Sequence, residues 1–463
     1  MMQNRLFSNR ALWLLIWPLL VEQLLQITLG MADIVMVASL GEAAVSGVSL
    51  VDQVNILLVQ VFAALSTGGA VVCSQYIGSS QFPLAEKTAK QLLYTISAIA
   101  IFLLCAGLAL HKPLLRLIFG KVEEDVMAAS QRYFLITLLA LPGIAIYSAA
   151  AAIFRAQGNS RISMLIALLV NVINIGGNAV CIYGLHWGVA GVAVPTLLSR
   201  SAAAAVLLVC LYRAQTDKDS KAISIRGISR VQIDFNLVGK ILKLGIPNGL
   251  ENSTFQIGKL LVLSLISTYG TTAIAANAAA NTMASFEVLP GSAVGLAMLT
   301  VVGQCIGARR SDQASYYTKK LMLIAYTGFW LLNIPLIFLS YKILCLYGMS
   351  EETTKLSWYM TLWHGIAGML IWPPSFSLPN ALRAAGDAAF TMIVSMLSMW
   401  TLRVGMSYVL KYTGIFGLVA FFGLPASFGA MCVWISMTID WALRSILFII
   451  RFARGKWKTK HVI

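Results

Sequence analysis

The chain has 463 residues, 59% of them hydrophobic and 11% charged, with a formal net charge of +16. Soluble domains carry about 25% charged residues, so this composition excludes an ordinary soluble core and points to a polytopic membrane protein. The excess of base shows no face interleaved with aromatics, so nucleic-acid binding is set aside.

Twelve apolar runs follow one another, at roughly 11–38, 44–72, 91–110, 131–152, 162–183, 189–212, 241–266, 274–302, 319–340, 356–379, 389–410 and 416–449. Each approaches or exceeds the ~20 residues that cross a bilayer as helix. No cleavable signal is apparent, so the first run reads as a retained helix. Pro18, Pro247, Pro290 and Pro373 can kink their spans. The first run, within PLLVEQLLQITLGMAD, carries Glu22, Gln23, Gln26 and Asp33. A carboxylate at bilayer depth costs about 3 kcal/mol on insertion scales, so such groups face a protein interior or a water-filled cavity. Asp33 reads either as a carboxylate reaching water near the outer interface or as an ion or proton site. The seven cysteines are scattered without C-x-x-C spacing and read as small core residues. The four histidines form no close cluster, so zinc is not expected.

Placing the N-terminus in the cytoplasm puts 24 of the 34 basic residues inside, six outside and four (Arg132, Arg200, Lys259, Arg403) in or beside spans. That asymmetry predicts twelve helices with both termini cytoplasmic. The basic tail reads as a topology and lipid-surface feature. The halves also repeat. Pro18 and Glu22 match Pro247 and Glu251, Gly41 matches Gly270, and Gln75-Tyr-Ile-Gly78 matches Gln304-Cys-Ile-Gly307, all at an offset of 229. Arg155-Ala-Gln-Gly158 and Arg383-Ala-Ala-Gly386 follow, and read as cytoplasmic turns; Gly188-Val-Ala-Gly then echoes Gly414-Ile-Phe-Gly. The expected fold is therefore an all-α polytopic membrane protein, with 12 transmembrane helices in two pseudo-symmetric six-helix bundles around a central cavity. Residues 1–212 form the first bundle, 213–240 a cytoplasmic linker, and 241–463 the second bundle with a basic cytoplasmic tail. Same-orientation repeats rocking about a cavity are a recurrent transporter plan.

Depth then groups side chains. Asp33 falls near the outer end of span 1, Asn174 and Asn178 share a face of span 5 at i, i+4, and Thr196 lies in the outer third of span 6. One carboxylate with amide and hydroxyl oxygens suits a hard monovalent cation, or a carboxyl that takes up a proton once water is withdrawn. Asn174 and Asn178 can equally serve as interhelical hydrogen bonds, worth about 0.6 kcal/mol each. Glu251 and Glu287 sit mid-helix and can pair with Lys259 or Arg403, or act in coupling or in binding cationic substrate. Glu22, related to Glu251 by the repeat, is expected to face the mid-membrane cavity with Gln26, and Pro18 and Pro247 are expected hinges. Most tryptophans should contact lipid or its interface.

The stretches P-x-x-x-E-Q-L-L-Q, G-M-A-D-I-V-M-V, L-G-E-A-A-V-S-G-V, STGGAVVCSQYIG, FRAQGN and WGVAGVA, with their second-half copies, resemble the multidrug and toxic compound extrusion (MATE) transporters of prokaryotic type from about residue 10 to 450. The resemblance implies an antiporter that exports bulky, often cationic compounds against inward Na+ or H+. It implies an essential acid at Asp33, with ligands at Asn174 and Thr196. Many members have Asp where Asn178 stands, which leaves Na+ versus H+ open. Where some members place a second-half Glu and Asp, this chain has Phe255 and Trp372.

The reading is thus a cation-coupled multidrug or metabolite efflux antiporter for amphipathic, cationic compounds. It is taken to be a multi-pass monomer in the plasma (inner) membrane, partnered by small molecules and lipid. No cofactor is expected beyond Na+ or H+ as coupling ion, and no metal beyond Na+ at Asp33. The alternative is a flippase for a lipid-linked precursor, which would want a cationic cavity. Glu22, Asp33, Asp52, Glu251 and Glu287 outnumber Lys259, Arg200 and Arg403 within the spans, which favours cationic cargo. An enzyme is not expected, since no metal-ligand cluster, Ser–His pairing or nucleotide loop occurs.

Overall fold

A backbone in hydrocarbon must satisfy its own hydrogen bonds, and the helix does so within one segment. The computed structural model follows that rule in residues 5–120, 122–215, 222–413, 423, 425–460 and 462–463, which are the residues the structure describes. The helices are α1 (Asn9–Ala38), α2 (Glu42–Gly78), α3 (Phe82–Phe119), α4 (Glu124–Ala156), α5 (Ser160–Ala179, continued by a π turn at Val180–Gly184) and α6 (Ala190–Arg213). After the linker come α7 (Phe235–Ser267), α8 (Thr271–Glu287), α9 (Leu289–Gly307), α10 (Ser311–Cys345) and α11 (Glu351–Trp372). The chain continues with α12 (Leu378–Ala384), α13 (Ala388–Ser398), α14 (Met406–Thr413) and α15 (Met431–Ala453), with π turns at Pro373–Ser377 and Met399–Gly405.

Ten segments are long and apolar enough to cross a membrane among the described residues. α7 and α11 fall outside that set; α7 carries Asn248, Glu251, Asn252, Gln256 and Lys259 in its middle. Taking α8 with α9, α11 with α12, and α13 with α14 as single broken passes, the described helices make the twelve passes expected. Several outrun their apolar cores, as α3 does with 38 residues, because extending a helix costs little once it is nucleated. The last run, expected from 416, is helical from Met431, and residues 414–422 lie outside the described residues. Side chains such as Trp17, Phe102, Leu331 and Phe338 stay exposed on their helices, where lipid is the matching solvent.

The repeat has a backbone cause. Gly41 and Gly270 precede α2 and α8 at φ of +94° and +93°, and Gly158 and Gly386 close the two Arg-containing turns at +87° and +95°. Such angles are open to glycine without strain. In both turns the glycine N–H returns to the arginine carbonyl, at 2.8 Å from Gly158 to Arg155 and 2.9 Å from Gly386 to Arg383.

The described chain divides into two packed units, one of residues 1–249 with 303–309 and 462–463, the other of 250–302 with 310–461. In the first, the opening turns of α7 lie so close to α2 that a Cβ on Gly68 would sit 2.6 Å from the Ile241 carbonyl oxygen. The division therefore falls inside α7. The described part of the linker lies along the start of α3. Tyr94 Oη donates to the Ile228 carbonyl at 2.6 Å, Gln91 Nε2 to that of Gln232 at 2.6 Å, and Lys87 pairs with Asp234 at 2.7 Å. In the second unit Phe329, Trp372, Trp434 and Trp441 anchor the core. The end of the tail folds back onto that unit: Trp457 is buried and stacks on Phe452 at 5.2 Å, while Arg451 and Lys460 hold Asp387 at 2.7 and 2.9 Å.

Candidate functional site

Helix α1 brings Asp33 to the edge of a cleft of about 420 Å³ within the first unit. Asp52 and Asn55 from α2 and Tyr133 from α4 line the same cleft. Asn178 Nδ2 donates to Asp33 Oδ1 at 2.7 Å and to Asn174 Oδ1 at 3.2 Å. Asn174 Nδ2 donates to Thr196 Oγ1 at 2.8 Å, and that hydroxyl donates to the Val192 carbonyl at 3.0 Å. Asp33, Asn178, Asn174 and Thr196 are thus one connected chain of polar groups across α1, α5 and α6.

Local sequence places these helices. Gly177 stands between the two asparagines' turns, and a Cβ there would come within 2.8 Å of Pro195 Cβ. The missing side chain lets α5 close on α6 one residue before Thr196. On α1, Pro18 has no N–H to offer the Leu14 carbonyl. Ser160, at the start of α5, donates to the Leu15 carbonyl at 2.7 Å and lies 3.4 Å from that of Leu14. Asn174 and Asn178 are buried, and Asn178 Oδ1 has no hydrogen-bond partner among the described residues. That oxygen is the chemically telling atom: a buried acceptor beside a carboxylate fits a bound cation or the proton of a neutral carboxyl.

Asp52 and Tyr133 belong to this cleft but were not among the sequence-derived site residues. Tyr133 Oη donates to Asp52 Oδ1 at 3.0 Å. Their only sequence signal is an acid within an apolar run, and nothing local reveals that it shares a cleft with Asp33.

The remaining candidates sit elsewhere. Glu22, expected to face an open cavity, is 1% exposed. Arg155 Nη1 binds its Oε1 at 2.8 Å and Ser163 Oγ its Oε2 at 2.6 Å. Glu251 has the corresponding partner: Arg383 at 2.7 Å, with Arg444 at 3.9 Å. Arg155 and Arg383 begin the two repeated Arg-to-Gly turns, and their long side chains reach from there to these buried acids on α1 and α7. Glu287 pairs with His364, whose ring meets Trp434 and Trp441 edge-on at 5.7 and 5.0 Å. The expected partners of these glutamates, Lys259 and Arg403, instead lie over the Phe255 ring at 5.1 and 4.9 Å from its centroid. Phe376 meets Phe255 edge-on at 6.3 Å and stacks on Trp372 at 4.8 Å. Gln26 is exposed on α1; Pro18 and Pro247 lie inside α1 and α7.

These pairings revise the charge count. Arginines neutralise Glu22 and Glu251, and the excess of acid read from spans alone does not survive in the second unit. In the first, Asp33 and Asp52 remain as carboxylates lining a cleft.

Comparison with known proteins agrees with the duplication. The MatE family model matches residues 18–180 and again 247–409. An uncharacterized transporter, YisQ, of Bacillus subtilis (strain 168) is 26% identical over 460 residues, covering 97% of this chain and 95% of its own. A probable multidrug resistance protein NorM of Thermotoga maritima is 24% identical over 452 residues, covering 96% and 92%. A crystal structure of MATE in the bent conformation superposes with a TM-score of 0.84 at 19% identity, over 97% of this chain and 96% of that one.

Proposed function

The chain belongs to the MatE family and is a membrane-embedded transporter; on that footing we propose that it exports amphipathic compounds bearing a cationic group, driven by inward Na+ or H+. The supporting observation is the polar chain ending on Asp33, with the buried Asn178 Oδ1 left over. A sodium ion beside Asp33 would find that oxygen as a ligand. A proton on Asp33 would turn the carboxyl into a donor, and rotation of the Asn178 amide would offer it the same oxygen as acceptor. Either ion rearranges the link between α1 and α5, and Pro18 gives α1 a place to bend. The Asp33–Asp52 cleft supports a cationic group on the cargo. One charge crossing 100 mV supplies about 2.3 kcal/mol, enough for tens-fold accumulation. The flippase reading is not favoured: the named relatives are a transporter and a multidrug resistance protein.

The proposed location is the plasma membrane with both termini cytoplasmic, as the distribution of basic residues supports. The test is dye export in everted vesicles, with the Na+ and proton gradients collapsed in turn. Loss of export with one gradient names the ion. Asp33→Asn should abolish gradient-driven export; parent-like export by this variant overturns coupling at Asp33.

A further inference from the structure

One cluster in the second unit carries more positive charge than its own carboxylates neutralise. Lys259 and Arg403 stand over Phe255, Arg444 over Phe376 and Arg383 at Glu251, against two carboxylates, Glu251 and Asp440. Glu251 is committed to Arg383 at 2.7 Å and is 3.9 Å from Arg444. Asp440 accepts from Ser398 and approaches Arg403 no nearer than 3.9 Å. Glu287 is taken by His364.

Hydrogen-bond supply is as lopsided as charge. Among the described residues, Nε of Arg383 and both Nε and Nη1 of Arg403 and of Arg444 are buried without a hydrogen-bond partner, while the two carboxylates leave Glu251 Oε2 and Asp440 Oδ2 unused. Orphaned charged donors are costly in a low-dielectric interior, and what this cluster lacks is acceptor oxygens.

Its geometry indicates where they would come from. Arg403, 8% exposed, lies on the π turn at Met399–Gly405. Its guanidinium and the Lys259 ammonium both lie about 5 Å from the centroid of the Phe255 ring. Lys259 is exposed, and no carboxylate lies within ion-pair distance of it among the described residues. Gly258 beside it holds α7 against that turn, where a Cβ would lie 2.2 Å from Met399 Cε. An accessible cation, a buried one and an aromatic face are thus fixed on two elements.

We propose that Lys259 and Arg403, with Phe255, bind an anionic oxygen group, a carboxylate or phosphate, carried by the exported compound. The oxygens would bridge the Lys259 ammonium and the Arg403 guanidinium, which their shared contact with the Phe255 ring holds together. This deepens the export reading and rests on it: the cargo carries an anionic group as well as a cationic one.

The test uses the full chain in phosphatidylcholine nanodiscs and two probes, a rhodamine bearing a free benzoic acid and the methyl ester of the same dye. They differ only in the anionic group. The parent should bind the acid about tenfold more tightly than the ester, as one charge-assisted hydrogen bond predicts. Lys259→Met and Arg403→Gln should each bring that ratio close to one, and Lys259→Arg should keep most of it. Equal affinities in the parent, no binding of either dye, or a ratio unmoved by Lys259→Met in protein that melts like the parent would overturn the proposal. If Arg403→Gln does not fold, the Lys259 pair of variants decides alone. A second set of discs containing phosphatidylglycerol identifies a lipid source. Stabilisation by that lipid, lost in Lys259→Met and without any acid–ester preference, would assign the site to a headgroup and overturn the cargo assignment. Export of the ester from vesicles is measured in parallel: parent export without acid preference sinks this site alone, whereas absent export sinks the transport reading while the binding ratio still decides the site.

Discussion

The buried pair Glu22–Arg155 offers a sharp test of how this chain manages charge inside its first unit. Replacing Arg155 with Ala strands a carboxylate that is 1% exposed and keeps only the Ser163 hydroxyl at 2.6 Å. Removing one partner of a buried pair typically costs about 3–5 kcal/mol, and the retained Ser163 bond places this case near 3. Glu22→Gln should cost less, about 1–2 kcal/mol, because the Arg155 side chain is 18% exposed and can turn to water. The double variant should therefore be more stable than the two losses added together, with a coupling of about 1–3 kcal/mol. The second unit supplies an internal control. Glu251 has Arg444 at 3.9 Å as well as Arg383 at 2.7 Å, so Arg383→Ala should cost less than Arg155→Ala. The assay is denaturant unfolding of the full chain in micelles, followed by tryptophan fluorescence, for both single variants and the double. A coupling below about 0.5 kcal/mol, or a larger loss at Arg383 than at Arg155, would refute the reasoning.

Gly177→Val should force α5 away from Pro195, since the first added carbon already lies 2.8 Å from it. A loss of about 1–3 kcal/mol is expected, together with reduced export while the protein still reaches the membrane. Asn178→Asp places a second carboxylate beside Asp33, and sodium affinity should rise by about an order of magnitude, read as a Na+ titration of intrinsic fluorescence; an unchanged titration would remove Asn178 from the ion site. Asp387 sits in the turn before α13, 0% exposed. Burial works to raise its pKa, but hydrogen bonds and charges from Arg451 and Lys460 prevail and hold the carboxyl below its ordinary value. A lowered folded pKa means the stabilisation is present above the unfolded value of about 3.9 and is lost as pH falls through the folded one. The parent should therefore melt at lower temperature as pH drops below about 4, and Asp387→Asn should remove that part of the acid dependence while lowering the melting temperature at neutral pH.

Much of the architecture was open to reading from the chain alone. Apolar run length sets where helices cross, because hydrocarbon leaves the backbone no other partner. The duplication was visible because its markers are backbone requirements: Gly41 and Gly270, Gly158 and Gly386 take φ values that other residues avoid. The grouping of Asp33 with Asn174, Asn178 and Thr196 was also legible, since helical period and depth bring them to one level, and they form one hydrogen-bonded chain. Charge pairing was not legible. Arg155 and Arg383 stand in the last turns of α4 and α12, at the loops between helices, yet their long flexible side chains end on Glu22 and Glu251, more than 130 residues away in sequence. The pairings of Asp440 with Ser398 and of Glu287 with His364 likewise join residues far apart in sequence. Periodicity specifies the face and depth of a Cα; which charge meets which carboxylate is decided only when helices pack and each buried ion takes the partner within its reach.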